Sequence, residues 1–532
     1  YERRARRILP ALYLVILVVS ILSYFFLTRS EISNYFSSVI STVLFSSNFY
    51  FWKSTPYFDS NSDLQPLLHT WSLSIEEQFY IFFPVLLLFV YKYFKKNIII
   101  FFSICFFTSL FLCQFLALKT GNNLNFYFTL SRAWELTLGA MTAYYLNKNK
   151  TKLPLIFSNF LSFLGLSLII TSIFIFDKYS LHPSILTVLP AIGTVLVIIF
   201  TKKKTLIEKV LSNKILVSIG LASYSLYLWH QPLLVFGRIY FDNFLLEHKI
   251  FILVLSLILA YLSFYFIEKL FRNRNKVSLK SFLKFLILSF LIIFIFSITN
   301  INNFNSNSKN STEAKLAKLL LNNQAVYAPN MDGRQFIKFR IFYENSNPNT
   351  LVIGSSRMMQ VASNSYDKEL INLSVGGGSI EDHITITEMA LEKFNSKKIL
   401  IGLDPWLFNK YQGQKRWKSL NKEYSLSLEN IKSSRIKNKV ININSSKKEW
   451  KLLEYFYNKL NIRKIVPANN NIKNNKKEII LRDGSRVYAK KDEIKNIKPG
   501  IINYSMERYE FSEKNFELYS QFLNYLKNVR NV

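Results

Sequence analysis

Between residues 8 and 300 the sequence repeats one pattern: an apolar run close to twenty residues long, then a short polar joint. The hydrocarbon core of a bilayer is about 30 Å thick and takes ~20 helical residues to cross. In lipid the backbone must satisfy its own N–H and C=O groups, so runs like these are expected to be helices. They fall at 8–27, 76–93, 98–119, 126–147, 153–176, 184–201, 215–240, 249–270 and 281–300, and predict about nine spanning helices. A further run, 36–52, is interrupted by serines.

Charge orients the helices. The joints 3–7, 92–96, 148–152, 202–214 and 269–284 hold 21 Lys and Arg, whereas the alternate joints offer Arg29, Lys53, Lys119, Lys178 and Lys249. The positive-inside rule puts the first set in the cytoplasm. The alternation holds if 36–52 is a re-entrant or interfacial helix on the outer side. A full crossing there would invert every later loop against the charge. The helix at 281–300 then carries residues 301–532 out of the cytoplasm, behind an Asn/Ser-rich linker at 301–311. The expected protein is a multi-pass cytoplasmic-membrane protein with an extracytoplasmic C-terminal domain. Its 67 Lys and Arg against 34 Asp and Glu, a formal charge of +33, would otherwise suggest nucleic acid. Here the excess is shared between cytoplasmic joints and an outer domain, which favours membrane lipid and leaves no role for nucleic acid. Cys105 and Cys113 lie eight residues apart on one helical run, too far to bridge. No metal-ligand spacing occurs, and no metal is expected.

Several polar strings interrupt the apolar runs. His69, Trp71, Ser72, Glu76 and Glu77 lie in HTWSLSIEEQFY, 69–80, where an outer loop enters a spanning helix. Carboxylates at a helix start suit the helix dipole, so a plain capped helix explains part of this string. RRARRILP, 3–10, reads as a cytoplasmic anchor or as a guanidinium site for phosphates. Arg132 and Glu135 stand at i,i+3 in SRAWELTLGA, 131–140, an ion pair or an intramembrane functional site. Tyr227, Trp229 and His230 fall in SYSLYLWHQP, 223–232. Glu268 is expected to pair with Lys269 or Arg272 as a structural group.

Taken in order, RRARRILP, HTWSLSIEEQFY, SRAWELTLGA, SYSLYLWHQP and FYFIEKLFR (264–272) resemble the acyltransferase-3 family of membrane O-acyltransferases over residues 1 to about 275. That resemblance implies transfer of acetyl from cytoplasmic acetyl-CoA to an extracytoplasmic glycan. It matches Arg4 and Arg7 to the family's paired arginines, and Trp71, Ser72, Leu73, Glu76, Gln78 and Phe79 to its Trp-Ser-Leu pattern. Arg132 and Glu135 match its Arg-x-x-Glu. The family begins with two helices that precede the paired arginines, the first bearing an Arg and a His assigned to catalysis. Their absence here implies an N-terminal truncation.

After residue 340 the pattern changes to strand-then-turn units: LVIGSSRM (351–358), NLSVGGGSIEDH (372–383) and ILIGLDPWLFN (399–409). Such alternation predicts a parallel α/β sheet with its site at the carboxyl ends of the strands. Ser379 and Asp382 have capping-box spacing. The glycines at 376–378 serve either a tight turn or an oxyanion-binding turn. The order resembles the SGNH hydrolase superfamily, with Ser356 in the nucleophile's place and the glycine block near Gly376 or Gly377. It departs at Gly402-Leu403-Asp404-Pro405, where the family has Gly-x-Asn-Asp, and a carboxylate at Asp404 would repel an oxyanion. The closing Asp-x-x-His is absent, and His383 is the one histidine after residue 300. The resemblance therefore implies a C-terminal truncation, a substitute base in His383, or a domain that binds glycan without catalysis.

The resulting expectation is three segments: an acyltransferase-like membrane domain (1–275), an extra spanning helix with linker (276–311) and an outer SGNH-like domain (312–532). Arg4 and Arg7 would receive acetyl-CoA. His69 and Glu76 would position the acceptor or relay the acyl group, and Ser356 would pass it to a sugar hydroxyl. The rival class is a transporter whose path is lined by Arg132, Glu135 and His230.

Overall fold

The computed structural model describes residues 1–54, 64–94, 98–120, 122–148, 153–176, 182–241, 244–304, 309, 311–322, 325–326, 331–410, 416–441, 451–461, 479–487 and 509–532. The chain forms two compact units. One comprises Tyr1–Phe26 with Tyr35–Ile298, and the other Leu27–Asn34 with Thr299–Val532.

The first is a helical membrane unit, built from α1 (Glu2–Phe26), α2 (Arg29–Val43), α3 (Ser47–Ser54), α4 (Thr70–Phe94), α5 (Ile98–Thr120), α6 (Asn122–Tyr127), α7 (Thr129–Lys148), α8 (Leu155–Ile175), α9 (Val188–Phe200), α10 (Leu206–Leu211), α11 (Lys214–Tyr240), α12 (Leu246–Ser263), α13 (Lys269–Arg272) and α14 (Leu279–Asn303). A helix stands at each of the nine expected places. Six of these are long and apolar enough to cross a membrane: Glu2–Phe26, Thr70–Tyr93, Ile98–Leu118, Leu155–Ile175, Leu246–Arg272 and Leu279–Asn303. Ile185–Phe200 is apolar but shorter. α7 and α11 have the length, but Arg132, Glu135, His230, Gln231 and Arg238 dilute their apolar character. The run at 36–52 is broken. α2 and α3 are 15 and 8 residues long, and Phe45 between them has φ 51°. Neither reaches the ~20 residues a crossing needs.

Apolar residues lie on the outside of this unit as well as inside it. Ala11, Leu12 and Val19 of α1 are fully buried, while Phe174 is 84% and Ile156 79% exposed, as a lipid-facing surface requires. Tight contacts use small residues. A side chain at Gly165 of α8 would come within 2.7 Å of the Gly193 carbonyl of α9, so the close approach of these helices excludes even alanine.

The second unit contains α15 (Thr312–Leu321), α16 (Gly333–Tyr343), α17 (Ile380–Lys393), α18 (Asn421–Ser433), α19 (Lys451–Leu460) and α20 (Glu513–Tyr525) around a small sheet. Strands β1 (Thr350–Ile353), β2 (Leu370–Asn372) and β3 (Lys398–Ile401) are all parallel, in the order β2-β1-β3. A two-residue antiparallel pair, β4 (Ile479–Ile480) and β5 (Arg486–Val487), lies apart. β1 is the central strand of the three and is buried along its whole length, as its TLVI sequence predicts. Leu351 and Ile353 join Phe336, Phe339, Ile386 and Met389 in one core. The three strand ends carry the Gly354, Gly376 and Gly402 turns, so the expected parallel α/β arrangement forms.

Candidate functional site

In the membrane unit the string at 69–80 is a junction. Its residues meet several other helices. Trp71 packs on Phe126 of α6 with ring centroids 4.4 Å apart, and Arg132 of α7 lies 5.1 Å from the Trp71 ring. Ser74 meets Ser47 of α3 at 2.7 Å. Gln78 donates to the Phe45 carbonyl at 2.7 Å and to Asn48 Oδ1 at 3.0 Å, and accepts from Thr129. Glu77 pairs with Arg4 of α1 at 3.1 Å. These contacts gather four helices, α1, α3, α6 and α7, around the start of α4. They explain most of the motif as architecture.

His69 is the exception. It is 8% exposed, and neither ring nitrogen makes a hydrogen bond of normal geometry, with the Leu228 backbone alongside. An unpaired buried polar group costs ~1–3 kcal/mol, so its retention points to use rather than packing. Its ring lies 5.0 Å from the Tyr227 ring and 5.3 Å from that of His230. The Tyr227 hydroxyl donates to the His69 carbonyl. With that proton spent, Ser72 Oγ is the donor in its 2.8 Å bond to Tyr227. His230 Nδ1 is 2.6 Å from the Tyr227 carbonyl, which can only accept, so Nδ1 carries a proton. Two imidazoles thus flank one tyrosine.

On α11, Tyr224, Tyr227 and His230 recur every three residues and share a face. The lower end of this stripe meets an acid–base cluster. Glu268 is 1% exposed, accepts from Ser225 at 3.4 Å and pairs at 3.2 Å with Arg272, one of the two partners expected. It sits in a π-helical turn, Phe264–Glu268, between α12 and α13. Arg7 is exposed and exerts its charge on both Glu76 and Glu268. Arg4 is half-buried, its guanidinium committed to Glu77 and stacked 3.1 Å from the Tyr80 ring centroid. The paired arginines therefore differ. Arg7 and Arg3 are exposed, whereas Arg4 holds α1 to α4. Arg132 Nη2 binds both Glu135 oxygens, at 3.0 and 3.1 Å, and forms the expected ion pair.

In the C-terminal unit, Ser356 is exposed and, among the described residues, makes no hydrogen bond. Its neighbour Arg357 reaches Asp404 Oδ1 at 3.4 Å and lies 4.9 Å from the Trp406 ring. Asp404 itself is 4% exposed. The space before Gly354 and Gly402 is filled by Met358: a side chain on Gly402 would come 2.3 Å from Met358 Cγ. Gly377 has φ +60° and turns the chain sharply. Buried Arg334 donates to the Gly376 and Gly377 carbonyls at 3.3 Å each, and grips Asp382 through two 2.7 Å bonds. Ser379 and Asp382 close the capping box that begins α17. His383 turns into the core, its Nδ1 3.1 Å from the Tyr519 hydroxyl. No contact joins it to Ser356 among the described residues. Arg334, Trp406 and Tyr519 did not stand out in the sequence, because each acts on residues far away in the chain.

Burial holds the His383 pKa down at about 4, against the pull of Asp382 and Asp404. The ordinary histidine value is about 6.5, so between these limits the unfolded chain binds more protons than the folded one. Stability of this unit should be complete above about pH 6.5 and fall as the pH drops through 4. Thermal unfolding followed from pH 8 to 4 should show this slope, and His383→Gln should flatten it.

Residues 1–265 match the family described as "Acyltransferase domain", so the membrane unit carries a domain of that class. Among curated proteins the chain is similar to O-acetyltransferase OatA of Staphylococcus aureus. The protein of strain NCTC 8325 / PS 47 is 31% identical over 288 residues, covering 52% of this chain and 47% of its own. That of strain COL gives the same figures: 31% over 288 residues, 52% and 47%. The chain thus spans about half the length of the curated relatives it matches. No solved structure matches it. The multi-pass helical architecture and the acyltransferase match agree over residues 1–265.

Proposed function

We propose that the protein is a membrane O-acetyltransferase that moves acetyl from cytoplasmic acetyl-CoA to a hydroxyl of a cell-surface glycan such as an O-antigen or exopolysaccharide. The observation that carries this reading is the buried, unpaired imidazole of His69 beside Tyr227 and His230, in a domain matched to acyltransferases. In the transfer, the sugar oxygen would form the ester bond to the acetyl carbonyl carbon as the carbon–sulfur bond to coenzyme A breaks. The departing thiolate would take up the proton that the imidazole accepts from the hydroxyl. Arg7 and Arg3 would hold the donor's phosphates, and Glu76 would keep Arg7 in place. The positive-inside rule sets this end in the cytoplasm and the C-terminal unit outside.

For the C-terminal unit, the parallel order β2-β1-β3 with glycine turns at the strand ends supports an SGNH-like fold. Its geometry favours glycan binding over an acyl-serine relay. Ser356 has no base among the described residues, Met358 fills the space before Gly402, and His383 serves the core. A serine without a base is a poor nucleophile at neutral pH.

The chain, expressed in a bacterium with a defined surface polysaccharide, should add O-acetyl groups detectable by NMR. Arg7→Ala should weaken use of acetyl-CoA, raising its KM about tenfold, with the protein still inserted. Ser356→Ala should retain acetylation. Loss of acetylation in Ser356→Ala would restore the relay, and full activity in Arg7→Ala would sink the donor site. Uptake of a labelled solute into proteoliposomes without dependence on acetyl-CoA would favour a transporter instead.

A further inference from the structure

A groove of about 950 Å³ on the membrane unit lies along α12, the π-helical turn and α13. Its apolar wall includes Ile258, Leu262 and Phe266, and its far end carries Tyr265, Lys269 and Lys276. We propose that this groove binds an anionic phospholipid of the leaflet that the positive-inside rule assigns to the cytoplasm. The acyl chain would lie along the apolar wall and the phosphate between Lys269 and Lys276. This site is separate from the acyl-transfer residues and does not rest on the proposed reaction.

Three observations carry the inference. The first is charge. Arg272 is paired with Glu268 and Arg274 with Glu2, yet Lys269 and Lys276 have no ion-pair partner among the described residues. Of the four cations at 269–276, the two left over are those that line the groove, and Lys269 is held 5.3 Å from the Tyr265 ring. The second is length. From Ile258 to Lys269 the helix rises roughly 16 Å at ~1.5 Å per residue, about half of a ~30 Å hydrocarbon core. A docked transmembrane helix would mark the full thickness, whereas a lipid marks one leaflet. The third is closure. Past α13 the chain turns back, with Lys276 N–H bonded to the Asn273 carbonyl at 3.2 Å, and both residues line the groove's end. A closed, basic end suits a headgroup.

The test uses the purified full chain in detergent with equal phosphatidylglycerol and phosphatidylcholine, read by native mass spectrometry. Wild type should retain phosphatidylglycerol about tenfold over phosphatidylcholine, from two lysines near one phosphate. Lys269→Glu with Lys276→Glu should abolish that preference. Leu262→Trp, which fills the apolar wall and keeps both charges, should reduce retention of either lipid. Lys280→Glu with Lys284→Glu, on the same side but outside the groove, should change neither. Equal retention of both lipids by wild type would overturn the proposal, as would equal loss in the Lys280/Lys284 control, which would mean bulk attraction only. A dimer that disappears in Leu262→Trp, with no lipid preference, would assign the groove to a second copy and overturn it too.

Discussion

Replacing His69 by alanine is expected to lower acetyl transfer to the glycan by about 10²- to 10⁴-fold, the range typical of losing a general base. The expectation rests on how the structure treats this ring. Its main chain is held firmly, because Tyr227 bonds the His69 carbonyl and Ser72 bonds Tyr227. Its two nitrogens make no hydrogen bond of normal geometry, with the Leu228 backbone alongside. Tyr227→Phe should therefore act differently from His69→Ala. It loosens the main chain under the imidazole and leaves the base in place, so kcat should fall by about tenfold, with the pH profile of the reaction unmoved. Acetyl groups counted by NMR, with membrane insertion checked by protease protection, give both numbers. Unchanged transfer in His69→Ala would remove the imidazole from the chemistry and move attention to His230, whose ring lies 5.3 Å away.

The local features of this structure were legible in the sequence, and the distant ones were not. Arg132–Glu135, Glu268–Arg272 and the Ser379–Asp382 capping box join residues three or four apart on one helix, where spacing alone brings side chains together. Arg4–Glu77 and Ser72–Tyr227 join residues 73 and 155 positions apart, and nothing local announces either pair. The apolar runs revealed where helices form, since lipid permits little else. They overstated how many are clearly long and apolar enough to cross, because α7 and α11 keep polar residues on faces turned to other helices. The division into units also rests on distant contacts. It falls at Ile298 and Thr299, earlier than a linker at 301–311 would suggest, and it assigns Leu27–Asn34 to the unit that contains the sheet. Asn461 donates to the Leu27 carbonyl at 2.8 Å and Arg29 lies near the Phe304 and Tyr457 rings, contacts that span more than 270 residues of sequence.

Arg334→Ala should destabilise the C-terminal unit by about 3–5 kcal/mol, the largest stability change expected from a single substitution there. Arg334 and Asp382 are 5% and 0% exposed at their side chains, and their two 2.7 Å bonds form a forked pair. Removing the guanidinium leaves a carboxylate buried without its counter-charge. It also frees the Gly376 and Gly377 carbonyls that Arg334 ties down. Asp382 keeps the Ser379 N–H at 2.9 Å, so α17 retains its cap and the loss is confined to the unpaired charge and the loosened turn. Two further variants separate these causes. Arg334→Lys restores the charge without the planar fork and should recover part of the stability. Arg334→Ala combined with Asp382→Asn removes both charges and should be milder than Arg334→Ala alone, because no buried ion remains unpaired. Thermal unfolding of the full chain, followed by protease cleavage within 331–441, should place the midpoint of Arg334→Ala roughly 10 °C below wild type. A midpoint within a degree of wild type would mean that the glycine turn stands without Arg334, and that the buried pair records proximity more than support.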